Sequence, residues 1–175
     1  MTASRYSHRT HIEGTVYDVD CSGFIDYLLG RADPPALDEL RAATVRRPLA
    51  KHFVEFLFAS TPRRTWVRIP RISDLAAGDI IAWTKPADVA STNTGHVMLV
   101  AGPLGQPQEN VWSVPVIDST AGAHGSRDAR KGGSGVGRGT ILVEADLSGV
   151  PVAYYWSEDR KSRRHSTEIV MGRLR

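Results

Sequence analysis

The sequence predicts an α+β fold, with N-terminal helices packed on one face of an antiparallel β-sheet. Three observations carry the prediction. Apolar residues recur at helical spacing over the first third of the chain. The period changes after Ser60-Thr61-Pro62. The strand-like segments that follow are joined by short connections, which favour antiparallel pairing. At 175 residues the chain is long enough for one domain with a proper core, and we expect a single domain over 1–175.

The first predicted helix opens at Cys21. Phe24 pairs with Leu28 and Ile25 with Leu29, each four residues apart, Asp20 is a capping residue, and Gly30 is a stop signal. Asp33-Pro34-Pro35 reads as a cap and helix start, with Leu37, Leu40 and Thr44 on one face to about Arg46. After Pro48, residues Leu49, Phe53, Phe56 and Leu57 repeat at helical spacing. The strands predicted next are 80–83 after a Gly78-Asp79 turn, 95–101, 111–118, 140–144, 152–156 and 167–173. Pro115 inside the third predicts an edge or a bulge.

Between Ala121 and Gly139 runs a glycine-rich loop carrying Arg127, Arg130, Lys131 and Arg138. It lacks the Gly-Lys-Ser/Thr ending of a phosphate-binding loop and does not lead from a strand into a helix. It reads as a flexible flap beside a site.

Apolar residues make up 41% of the chain and charged residues 23%, the composition of an ordinary soluble globular protein. One cysteine excludes an intrachain disulfide. No apolar run approaches the roughly 20 residues that span a bilayer, so no transmembrane segment is expected. The N-terminal run has no apolar h-region and reads as no signal peptide. The expected setting is therefore either the cytoplasm or the exterior after removal of a leader. The net charge of +3 and pI near 9.2 lean basic, concentrated in Arg160-Lys161-Ser162-Arg163-Arg164-His165. No aromatic residues interleave with those charges, so the run reads as a solvated turn and no nucleic-acid partner is expected.

The chemistry concentrates on Cys21. A thiol in a first helical turn lies beside unsatisfied backbone N–H groups and the positive end of the helix dipole, and both favour thiolate over thiol. A cysteine nucleophile needs a base, and the base needs an orienting group. Of six histidines, His96 is placed best, opening an apolar strand directly after Gly95. Antiparallel pairing of 96–101 with 112–118 would bring Asp118 to the same end as His96, where a carboxylate fixes the ring's tautomer. His124 is the rival third member. His8 and His11 lie three apart without a further ligand cluster, so no metal is expected.

Three blocks together resemble the NlpC-type cell-wall cysteine peptidases and amidases, relatives of the CHAP amidases within the papain-like superfamily. They are Asp20-Cys21-Ser22-Gly23-Phe24, Leu75-Ala76-Ala77-Gly78-Asp79-Ile80-Ile81-Ala82-Trp83 and Gly95-His96-Val97-Met98-Leu99-Val100. The family's pattern is D-C-S-G-[FL], then L-x-x-G-D-[LIV]-[LIV]-x-[FW], then G-H-V-x-[LIV]-[LIV], in this order. The resemblance implies a papain-like α+β fold, Cys21 as nucleophile and His96 as base, with no cofactor. The family's third polar residue, commonly His, Asn or Gln, falls at Asp118. Tyr6 falls near the family's upstream oxyanion tyrosine, although the usual Tyr-x-x-Gly-Gly context is missing, and Ser22 falls at an oxyanion or substrate position. The implied substrate is a peptide or amide of bacterial cell-wall stem peptides.

The expected activity is thus amide hydrolysis through a thioester at a Cys21–His96–Asp118 site. Two alternatives stay open: acyl transfer through the same thioester, and a non-catalytic wall-binding or interaction protein that kept the fold.

Overall fold

A computed structural model of the chain describes residues 3–130, 133–159 and 161–175. Lys131 and Gly132 of the expected flap, and Arg160 of the basic run, lie outside the described residues.

The three helices form where their caps and apolar spacing place them. Helix α1 (Cys21–Ala32) is capped by Asp20, whose carboxylate accepts from the Gly23 N–H. It runs one turn-fraction past Gly30, and Asp33 N–H closes it on the Leu29 carbonyl. Asp33 then caps α2 (Pro34–Ala43) by accepting from Ala36 N–H, with prolines where a helix needs no donor. Helix α3 (Ala50–Phe58) turns Phe53, Val54, Phe56 and Leu57 into the core. Burial of each such side chain contributes roughly 1.5–3 kcal/mol of transfer free energy.

Strands dominate the rest. Strands β1 (Ala3–Tyr6), β2 (His11–Glu13) and β3 (Val16–Val19) form a small sheet in the order β1-β3-β2. The large sheet contains β4 (Trp66–Ile69), β5 (Ile80–Thr84), β6 (Gly95–Val100), β7 (Gly105–Gln108), β8 (Val111–Thr120), β9 (Gly135–Ala145), β10 (Pro151–Tyr155), β11 (Arg164–Ser166) and β12 (Ile169–Leu174). Its order is β11-β10-β9-β8-β6-β5-β12-β4, with β7 also on β8, and every pairing is antiparallel.

This corrects the expected α+β, papain-like class. The molecule is mostly β, a nine-stranded antiparallel sheet plus a three-stranded one, with three α-helices among the described residues. The reason lies in strands that carry no pattern of their own. β1, β2, β3, β4, β7 and β11 are three or four residues long, and partners elsewhere in the chain supply their pairing. A local period cannot reveal them.

Each face of the large sheet carries part of the core. On one, α1 and α3 cover Ile80, Ala82, Val97 and Val170. On the other, Ile81, Trp83, Met98, Val116, Ile141, Tyr154 and Met171 form a second core. The sheet curls around that second core. Trp83 on β5 and Tyr154 on β10 are four strands apart in the sheet, about 19 Å if it were flat, yet their rings stack at 4.2 Å. Pro115 is not on an edge. It stands where β8 changes partner from β7 to β6, and its carbonyl accepts from Ala101 N–H. The missing Pro115 donor points to that same side, so no regular ladder bond is lost. No helix among the described residues is long and apolar enough to cross a membrane.

Candidate functional site

Cys21 is the first residue of α1, as its spacing to Asp20 implies, and it is 7% exposed. It lines a cavity of about 100 Å³ with Tyr6, His8, Asp20, Ser22, Leu49, Ala50 and residues 92–95. Ser22 does not present a free hydroxyl there. Its Oγ donates to Asp20 Oδ1 at 3.1 Å, so it belongs to the helix cap. Asp20 is held in turn by Arg47, 3.1 Å from its other oxygen.

His96 and Asp118 meet as the antiparallel register requires. Leu99 pairs with Ile117 and Val100 with Val116. That register makes His96 and Asp118 diagonal neighbours on one face of the sheet. His96 Nε2 lies 2.5 Å from Asp118 Oδ2. With Nε2 engaged, Nδ1 is the ring atom left to exchange a proton, and it has no hydrogen-bond partner among the described residues.

Two further groups, Arg130 and His124, hold Asp118, which is completely buried. Arg130 Nη2 donates to Asp118 Oδ1 and, at 3.1 Å, to the Asp118 carbonyl; its Nε donates to the Gly135 carbonyl at 2.8 Å, and its Nη1 to Asp128 Oδ2. His124 Nε2 lies 3.1 Å from Asp118 Oδ2, and His124 Nδ1 lies 2.9 Å from the Trp156 carbonyl. Burial, aided by the neighbouring His96 and opposed by the Trp156 carbonyl and Asp128, pushes the His124 imidazole down to about 4. At neutral pH its single ring proton therefore serves one of its two oxygen neighbours at a time. Burial also draws the Arg130 guanidinium down to about 10, still charged at pH 7.

Asp118 and His124, the two candidates for a third member, lie in one cluster: Asp118 contacts His96 directly, and His124 contacts Asp118. Arg130 escaped sequence reasoning because its loop looked flexible. Residues 124–128 of it are pinned instead. Arg127 pairs with Glu158, Ser126 N–H donates to Asp159, and His124 N–H donates to Asp128 at 2.7 Å. The glycines serve close approach. A Cβ on Gly137 would stand 2.2 Å from Arg130 Cγ, and one on Gly139 would stand 2.7 Å from His124 Cβ. Glycine on β9 leaves the room those two side chains occupy.

A second cavity, about 360 Å³, contains His96 and is walled by Trp83, Tyr154, Trp156 and Val89. Tyr6, Asn93 and Gly95 line both cavities, so the two adjoin around the start of β6. Cys21 belongs to the helix-side core and His96 to the face of β6 that carries Met98 and Val100. The two cavities share Gly95 at the strand's end, where its φ is +144° and a Cβ would fall 1.9 Å from the Trp83 carbonyl. Burial first, then the charges of Cys21 and Asp20, push the Tyr6 phenol up to about 12. It stays protonated and can donate.

Metal-ligand chemistry is present in one place among the described residues. Single ligand atoms of His96, Asp118 and His124 lie within 4.8 Å of one another. The Arg130 guanidinium already occupies the other oxygen of Asp118. His8 and His11 go to different carboxylates, Asp20 and Glu13. Within the basic run Arg163 pairs with Asp88 and Arg164 with Glu144, and residues 164–166 form a strand rather than the expected turn.

No family model matches the chain, and no solved structure matches it. Over 177 residues it is 30% identical to "Uncharacterized protein R653" of Acanthamoeba polyphaga mimivirus, covering 89% of this chain and 77% of the relative. The chain therefore belongs to the family of that viral protein.

Proposed function

We propose that the protein is a cysteine hydrolase that cleaves an amide or peptide bond through a thioester on Cys21. The observation that carries the reading is the 2.5 Å contact between His96 Nε2 and Asp118, beside a cavity that adjoins Cys21 at a helix start. The likeness of the three sequence blocks to wall peptidases supports it and makes stem peptides one class of amide to test.

In this mechanism His96 Nδ1 takes the Cys21 proton, and Asp118 stabilises the resulting imidazolium. The thiolate attacks the carbonyl carbon. The backbone N–H of Cys21 and the Tyr6 hydroxyl donate to the oxyanion. His96 returns the proton to the departing amine as the C–N bond breaks. It then removes a proton from water, which attacks the thioester and releases the acid, and Cys21 regains its proton.

Intact mass spectrometry on protein quenched during turnover tests this. The expected species is the chain plus one acyl group, absent from Cys21→Ser together with turnover. Turnover that persists in Cys21→Ser overturns the reading.

A further inference from the structure

The two cavities beside Gly95 differ in size and lining, and thioester chemistry dictates which half of a substrate enters each. The acyl half stays bonded to Cys21. The amine half leaves with the proton that His96 delivers, so it must lie on the His96 side. Cys21 lines the smaller cavity, about 100 Å³, with Leu49 and Ala50 at its wall. His96 lines the larger, about 360 Å³, with Trp83, Tyr154 and Trp156.

Resting on the hydrolase reading, we propose that the protein selects amides with a small acyl residue, alanine or glycine, and an aromatic or large apolar group on the amine side. The aromatic wall is preformed. Trp83 stacks on Tyr154 at 4.2 Å, and Trp156 Nε1–H donates to the Ala123 carbonyl at 3.1 Å. Little ordering is needed when a ring enters, and rings in such a pocket gain edge or offset contacts beyond area burial. A bulky acyl residue meets a cavity less than a third as large, bounded by the first turns of α1 and α3.

Peptides carrying Ala–Phe, Ala–Ala and Phe–Ala at the central bond, with identical flanks, test the assignment through initial rates. The binding of phenylalaninamide to Cys21→Ser is followed in parallel by tryptophan fluorescence. We expect kcat/KM for Ala–Phe to exceed the other two by about tenfold or more. We also expect saturable binding of phenylalaninamide that Val89→Trp, which fills the cavity, abolishes. Preference for Phe–Ala, or equal rates, overturns the assignment while Cys21-dependent turnover upholds the hydrolase reading. Saturable binding without cleavage of any peptide supports the cavity assignment and overturns the hydrolase. Neither binding nor cleavage overturns both. Should Val89→Trp fail to fold, Trp156→Ala serves in its place, with the Ala–Phe preference expected to fall below threefold.

Discussion

Asp118 Oδ2 stands 2.5 Å from His96 Nε2 while Arg130 occupies the opposite carboxylate oxygen, and neither the Asp118 nor the Arg130 side chain is exposed to solvent. One buried carboxylate therefore serves two ends. It fixes the ring of His96, the base of the proposed mechanism, and it pairs with the Arg130 charge on the β8–β9 side of the site. Substitutions around it separate the two roles.

Asp118→Asn keeps the shape and removes the charge. The imidazolium loses its partner and the ring loses its fixed tautomer, so kcat should fall about 10²- to 10⁴-fold. Arg130 would keep Asp128 as a charge partner and lose Asp118, costing about 3 kcal/mol of stability. Steady-state kinetics and urea denaturation of the same preparation check both.

Arg130→Met leaves Asp118 buried and unpaired on one side. We expect a loss of about 3–5 kcal/mol by denaturation. The double variant with Asp118→Asn should be less destabilised than the sum of the single changes, because the orphaned charge is gone. Strict additivity would show that the two side chains do not act as a pair.

His124 supplies a pH dependence with a definite sign. Its folded value of about 4 lies below the ordinary histidine value of about 6.5. The unfolded chain thus binds the proton more readily, and the stability tied to neutral His124 is lost as pH falls from about 6.5 towards 4, by up to about 3 kcal/mol. Thermal melts of the wild type and His124→Gln from pH 7 to pH 4 should converge, the variant showing the shallower fall.

Tyr6 stays protonated across the working range, its phenol raised to about 12. Tyr6→Phe should lower kcat by about 10- to 100-fold as an oxyanion donor is removed, with KM little changed. The alkaline limb of the pH profile should keep its position in the variant, since Tyr6 does not titrate there.

Much of this arrangement was readable in the chain. The caps Asp20 and Asp33 mark helix starts because a short side-chain acceptor meets free N–H groups there. The meeting of His96 and Asp118 follows from two apolar strands that pair antiparallel. What escaped was non-local or steric. Strand β12 returns from the C-terminus to lie between β5 and β4, a pairing over some ninety residues that no window contains. The short N-terminal strands, with Arg5 paired to Asp18, have no apolar alternation to betray them. The glycines of the 121–139 stretch signal freedom in a sequence. In the structure, Gly137 and Gly139 make space for Arg130 and His124, so these two glycines mark close packing beside the site.

The central claim is that His96 acts on Cys21. As the chain has one cysteine, alkylation by iodoacetamide reads that thiol alone. The decisive measurement is its second-order rate at pH 7 in the wild type and in His96→Gln. The mechanism predicts a rate at least tenfold lower in the variant, with circular dichroism unchanged; equal rates in two folded proteins would contradict it.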